Sequence, residues 1–227
     1  MSRLGPFITL AAGAVLAAGL GVASVTATPA ADTSAAGSAA EEPSTAETTT
    51  APSPTPTKTE AKKIPKADYG GYVKGNGGLI AISVRDGKAI GYFCDGRNEA
   101  WLKGGEAGGK VTLKGLGTAR ATATLGGGQA KGSLSVGGRK WTFTAPAVVK
   151  PSGLYRATAL VRGAKLRVGW IQVPRPGGGY YQVGRAVVGE DQVDVPKLDD
   201  ERPTAPVTVQ DTTVQPKDVD GFIEEMS

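Results

Sequence analysis

The stretch LIAISVRDGKAIGYFC, residues 79–94, decides the fold of this chain. Apolar residues fill both of its halves, and Asp86-Gly87 stands between them. This dipeptide suits a two-residue type I′ turn, because both central positions of that turn require a positive φ. The turn predicts an antiparallel hairpin in which Arg85 lies opposite Lys88. The next pairs of this register are Val84 with Ala89 and Ser83 with Ile90.

Short strands and tight turns continue on both sides of this hairpin. Glycines also separate other runs of apolar residues, or of alternating apolar and polar residues. In SLSV-GG-RKWTFT at 133–144, Gly137-Gly138 predicts the turn of a second hairpin. No ten-residue stretch shows the 3.6-residue period of an amphipathic helix. Sequential hairpins of this kind predict a meander of about ten short strands. The other predicted strands lie at 71–75, 99–104, 110–115, 118–125, 154–161, 166–173 and 180–188, the last closing the sheet.

We therefore predict an all-β domain over residues 67–190. Its strands form an antiparallel meander of about 8–10 strands that closes into a barrel or folds into a sandwich, and the strand pattern leaves both forms open. The predicted core consists of the larger apolar residues of these strands: Ile80, Ile82, Val84, Ile90, Tyr92, Leu134, Val136, Trp141, Phe143, Leu154, Leu160, Val168, Trp170 and Val173.

The N-terminus carries an export signal. Arg3 precedes the apolar run FITLAAGAVLAAGLGVASV at 7–25, and small residues follow it. A basic start, an apolar run and a small-residue cleavage site define a secretory signal peptide. The run is also long enough to span a bilayer. Residues 1–27 are therefore a signal peptide or a membrane anchor, and both alternatives place the remaining chain outside the cytoplasm.

An Ala/Thr/Pro-rich segment follows at residues 28–66. It contains ETTTAPSPTPTKTE and no aromatic residue. Such a composition buries too little apolar surface to offset the entropy lost on ordering, so we expect a disordered linker or stalk.

Charge divides the remaining chain into two parts. Residues 67–190 carry eighteen basic and six acidic residues, a net charge of +12, whereas residues 191–227 carry three basic and ten acidic residues, a net charge of −7. A domain this basic attracts polyanions, unless its charge serves only solubility. The last segment has no strand or helix pattern beyond a possible last turn, so we expect an acidic disordered tail. One hypothesis is that this tail folds back and masks the basic face.

Candidate catalytic residues are few. The chain has no His, which is the commonest general base and metal ligand. Without a base partner, the single Cys94 is read as a small buried hydrophobe. Asp95, Glu99 and Glu106 are the carboxylates from which a glycan hydrolase would draw its pair. We predict no catalytic residues, no metal site and no cofactor, with a carboxylate-based glycan hydrolase as the alternative.

Four aromatic residues offer a second alternative. Trp101, Trp170, Tyr180 and Tyr181 are either core and strand-end packing or the lining of a barrel mouth. A mouth lined in this way would indicate a barrel that binds a small ligand.

Two strings resemble known proteins. GNGGLIAISVRDGKAIGYFCDGRNEAWLKG (75–104) and KWTFTAPAVVKPSGLYRATALVRGAKLRVGWI (140–171), with the N-terminal anchor and Thr/Pro stalk, resemble uncharacterised secreted or membrane-anchored β-domain proteins of actinobacteria. The resemblance implies an extracytoplasmic β domain in an actinobacterial envelope. It implies no activity and no catalytic residues.

We therefore expect a non-enzymatic envelope protein, secreted or anchored in the cell membrane with its domain extracellular. Its basic β domain would bind an anionic cell-wall polymer, an anionic lipid or a protein partner, and residues 7–25 would contact the membrane if uncleaved. Nucleic acid is not an expected partner in this compartment. The binding residues are left open.

Overall fold

The computed structural model describes residues 64–226, which belong to one compact unit, Thr55–Ser227. Residues 64–226 contain fifteen strands and one helix. They are β1 (Lys66–Val73), β2 (Leu79–Arg85), β3 (Lys88–Cys94), β4 (Glu99–Ala107), β5 (Lys110–Gly115), β6 (Arg120–Gly126), β7 (Gln129–Val136), β8 (Arg139–Pro146), β9 (Gly153–Val161), β10 (Ala164–Pro174), β11 (Tyr180–Val188), β12 (Asp191–Val193), β13 (Val207–Val209), β14 (Thr212–Val214), β15 (Lys217–Asp218) and α1 (Val219–Met226).

The first eight strands form a closed antiparallel barrel in which each strand pairs with the next. β8 returns to β1, where Thr144 pairs with Tyr72 and Phe143 pairs with Val73. The predicted all-β class and the antiparallel meander are confirmed, and of the two forms that the strand pattern left open the first eight strands adopt the barrel. The prediction that residues 180–188 close the sheet is wrong, because β8 already occupies the free edge of β1 and β11 belongs to a second sheet.

The predicted hairpin register at 79–94 is confirmed. Arg85 pairs with Lys88, Val84 with Ala89 and Ser83 with Ile90. Asp86 and Gly87 have φ values of 49° and 87°, as a type I′ turn requires. The Gly137-Gly138 turn also joins paired strands, with Val136 opposite Arg139.

The second sheet has the order β12-β11-β10-β9-β15, and β13 pairs with β14 in a separate hairpin. Its last strand, β15, comes from the segment predicted to be a disordered acidic tail. That prediction is wrong for residues 191–226, which contain four short strands and helix α1. The strands have only two or three residues each and are too short to show a period. Val219, Phe222, Ile223 and Met226 do follow the i, i+3, i+4, i+7 spacing of a helix, a signal that the prediction overlooked.

Three apolar cores hold the fold together. The first fills the barrel interior, the second lies between the outer surface of β2–β3, one face of the second sheet and α1, and the third covers the opposite face of that sheet. The third core takes Leu198, Val209 and Val214 from the C-terminal segment. All of these buried residues lie within the described part of the chain, so the unit from Thr55 contains its own cores.

Most of the predicted core is buried, with Val136 and Trp141 partly exposed. Leu160 is the exception, because 75% of its surface is exposed. It lies near the end of the β9–β10 hairpin, opposite Lys165. Its neighbours Ala159 and Val161 pack against the third core, so Leu160 points to the other side of the sheet. Strand alternation alone does not reveal how far a covering layer extends.

The predicted signal or anchor at 1–27 lies outside the described residues, as does the linker from 28 to 63. Lys66, the last residue of the predicted linker, belongs to β1. Within residues 64–226, no helix combines the length and the hydropathy needed to cross a membrane.

Candidate functional site

A basic face covers the outside of β4–β8. β5 and β6 alternate strictly between buried and exposed residues, so every second side chain points outward. Strand pairing places Lys103 beside Lys114 and Lys114 beside Arg120, in one row across the sheet. We define the basic face as the exposed Lys103, Lys110, Lys114, Arg120, Lys131 and Lys140.

Hydroxyl side chains separate these charges. Thr124 stands between Lys110 and Lys131 in the register, and Ser135 stands between Arg120 and Lys140. The face therefore consists of ammonium and guanidinium groups set among short hydroxyl side chains. Such a surface offers many hydrogen-bond donors to oxygen atoms of an anionic ligand.

No acidic side chain neutralises the basic face. Glu106 is the sole acidic residue between positions 100 and 146, and it is buried on the inner side of β4. Within residues 64–226, no ion pair involves any of the six basic residues. Their charges are therefore available to a partner.

The C-terminal acidic residues do fold back, but onto a different part of the domain. Asp220 pairs with Lys66 at 2.6 Å and with Arg85 at 2.5 Å. Glu224 pairs with Lys88 at 2.6 Å. The remaining long-range pairs of the end segment join Lys150 to Asp218 and Asp220, and Arg156 to Glu225. The hypothesis that the tail covers basic residues is right for β1–β3, β9 and the β8–β9 loop, whereas the basic face stays uncovered.

The three candidate carboxylates do not converge. Glu99 and Glu106 lie on opposite faces of β4, because they are seven positions apart and successive side chains alternate. Glu106 accepts a hydrogen bond from the Gly109 backbone N–H at 2.7 Å. Asp95 accepts hydrogen bonds from the backbone N–H groups of Arg97 and Asn98 at 2.9 and 2.6 Å, which shape a turn. Glu99 lines the cleft between the barrel and the second sheet, and neither Asp95 nor Glu106 lines it. This arrangement weighs against a carboxylate pair that shares one cleft, as in a glycan hydrolase.

Glu99 has a buried side chain that pairs with a basic residue of the second sheet. Its side chain is 4% exposed, and it accepts hydrogen bonds from the Tyr92 hydroxyl at 2.7 Å and from Arg167 at 3.3 Å. Burial raises the pKa of this carboxyl, and the two donors reverse only part of that effect. Glu99 connects the barrel to β10, because Arg167 lies on that strand.

Cys94 fits its predicted role as a small buried residue. It is fully buried in the second core, and burial raises the pKa of its thiol to about 11. A thiol with so high a pKa is a poor nucleophile at neutral pH, because the thiolate is the reactive form.

The four aromatic residues do not line a barrel mouth together. Trp101 lies outside the barrel, with its ring 4.3 Å from Tyr92 and 6.1 Å from Phe222. Trp170 is buried in the third core and donates to the Pro196 carbonyl at 3.0 Å. Tyr180 and Tyr181 begin β11, where the ring of Tyr181 meets Tyr72 edge-on at 5.5 Å.

The barrel interior is filled by its own side chains. A methyl group added at Gly91 would lie 2.7 Å from the Leu113 Cδ1 atom. Eight strands enclose a space just wide enough for side chains to fill. This packing weighs against the small-ligand-binding barrel.

Two clefts of comparable size border β4. One, of about 770 Å³, lies between one end of the barrel and the second sheet and includes Glu99 and Arg167. The other, of about 890 Å³, lies between β3–β5 and the end of α1. Residues 64–226 contain no group of three acidic or Cys side chains placed to hold a metal ion.

No protein-family model, curated protein or solved structure matches this chain.

Sequence reasoning named the basic charge but not the residues that present it. The period-2 spacing of Lys110, Thr112 and Lys114 is the signal that identifies an exposed basic strand face. Which strands lie side by side around that face depends on barrel pairing.

Proposed function

We propose that this protein is a non-enzymatic envelope protein that works outside the cytoplasm and binds an anionic cell-wall polymer through its basic face. The observation that carries this proposal is the set of six exposed basic residues on adjacent strands, which form no ion pair with residues 64–226 and have no exposed acid among them. The signal-like apolar run at 7–25 supports the location.

A polymer suits this surface better than a protein partner does. The cores of protein interfaces are enriched in aromatic residues and depleted in lysine. The basic face has the opposite composition, since its outward residues are mainly Lys and Thr. A repeating anion matches such a row of charges and gains affinity by releasing counterions.

Neutralising two lysines tests the proposal. Lys131→Gln/Lys140→Gln, in residues 55–227, removes two charges from the face. We expect weaker retention on isolated actinobacterial cell wall, and a slope of log affinity against log salt that is smaller by about two. Binding would be measured across a salt series.

The matched control is Lys165→Gln/Lys197→Gln, which removes the same charge from exposed positions outside the face. We expect it to keep the salt slope of the unmodified protein, apart from a small general effect. Equal losses in both double variants would contradict a localised site, and would make the charge a general property of the domain.

A further inference from the structure

The cleft between β3–β5 and helix α1 is an apolar groove with a basic edge. Its volume is about 890 Å³. Ile90 and Trp101 line it from the barrel, and Ile223 and Met226 line it from α1. The groove is thus an open, mostly apolar channel between two elements that are held together by the second core.

Leu116 stands at the mouth of this groove and is 97% exposed. It lies in the loop between β5 and β6, with Lys114 before it and Arg120 after it in the chain. A large apolar side chain held in water between basic residues is typical of a loop that contacts a lipid surface, where the apolar group enters the acyl region and the charges meet anionic head groups.

The charges at the groove favour an anionic occupant. Lys103 and Lys114 lie side by side at its edge and form no ion pair within the described residues. The single acidic residue among the lining residues is Glu225, which is held by Lys217 at 2.8 Å and by Arg156 at 3.0 Å. The free charge at the groove is therefore positive.

We propose that this groove binds an acyl chain of an anionic membrane lipid. The chain lies along the apolar lining, Leu116 enters the bilayer beside it, and the ammonium groups of Lys103 and Lys114 contact the head group. This site shares Lys103 and Lys114 with the basic face, whereas Lys131 and Lys140 belong to the basic face alone and do not line the groove.

Soluble alkyl phosphates test the groove directly. Binding of decyl phosphate and dodecyl phosphate to residues 55–227, below their micelle concentrations, would be measured by calorimetry. Each buried methylene strengthens binding about fourfold, so we expect the dodecyl compound to bind about fifteenfold more tightly. Dodecylphosphocholine, which has no net charge, should bind more weakly than dodecyl phosphate.

Two variants separate this site from the basic face. Lys103→Gln/Lys114→Gln should weaken dodecyl phosphate binding, whereas Lys131→Gln/Lys140→Gln should leave it unchanged. The second variant is also the one that should weaken cell-wall retention, so failure of one proposal is distinguishable from failure of the other. Affinity that does not depend on alkyl length would overturn the groove proposal.

Binding to lipid vesicles tests whether the ligand of the groove is a membrane lipid. Phosphatidylglycerol with brominated acyl chains should quench Trp101 fluorescence, and Trp101→Phe should remove that quenching. Leu116→Ser should reduce vesicle binding without unfolding the domain, since the Leu116 side chain is almost wholly exposed. Absence of binding, binding without quenching, or equal binding to phosphatidylcholine would each refute the proposal.

Discussion

Glu99 and Asp220 are acidic residues whose surroundings move their pKa values in opposite directions. Burial raises the pKa of Glu99, although Tyr92 and Arg167 donate hydrogen bonds to it. Hydrogen bonds from Lys66 and then Arg85 lower the pKa of Asp220 to about 2, from an ordinary value of 3.8. A lowered pKa means that the folded state favours the charged carboxylate, so Asp220 links pH to stability.

Asp220→Asn should reduce stability at neutral pH by about 1 kcal/mol or less, because the ion pairs it removes are partly exposed to solvent. Asp220 contributes stability above pH 3.8, and that contribution is lost as pH falls through about 2. We therefore expect the difference between the variant and the unmodified protein to shrink over this range in urea unfolding experiments.

The control is Glu201→Gln, which alters an exposed acid that forms no ion pair within residues 64–226. It should leave stability nearly unchanged across the same pH range. If the Asp220→Asn variant stayed less stable than the unmodified protein below pH 2, the ion pairs of Asp220 would not be the cause of the difference in stability.

At the scale of elements, the barrel brings its strands close together at inward-facing glycines. A Cβ atom at Gly132 would lie 1.9 Å from the Thr122 carbonyl oxygen, and one at Gly104 would lie 2.1 Å from the Thr112 carbonyl oxygen. Both obstacles are backbone atoms of the neighbouring strand, so a side chain can be accepted only if the strands separate.

Gly132→Ala should therefore destabilise the barrel by about 1–3 kcal/mol, as expected when extra atoms enter a packed interior. Gly126→Ala is the matched control, because its Cβ would meet no atom within 4 Å. Chemical denaturation measures both. Equal stability of the two variants would mean that the strands relax freely around Gly132.

At the scale of the whole molecule, the C-terminal segment is part of the fold. Phe222 and Ile223 complete the second core, and Leu198, Val209 and Val214 complete the third. Deleting residues 191–227 would remove these side chains along with the segment's acidic charge. Charge-neutralising substitutions are therefore the better test of polymer binding.

Phe222→Ala should destabilise the domain by about 3–5 kcal/mol, because the side chain is only 1% exposed and contacts Trp101. Leu160→Ala serves as the control, since Leu160 is apolar but exposed, and it should cost little. Thermal or urea unfolding would compare them. If Phe222→Ala unfolded like Leu160→Ala, α1 would not be a structural part of the domain.

The sequence by itself determined the all-β class, the register of the 79–94 hairpin and the division between basic and acidic parts. Turn chemistry acts within four residues, so Asp86-Gly87 sufficed to align its two strands. Most of the core residues predicted from the strand pattern are indeed buried, with Leu160 as the clear failure.

Only the tertiary structure decided that the barrel closes at β8, that the C-terminal segment covers a second sheet, and that six basic residues form one face. The groove beside Leu116 also exists only after α1 packs on the barrel. The physical reason is that closure and layer packing join residues far apart in the chain, whereas local propensity and period report only on near neighbours.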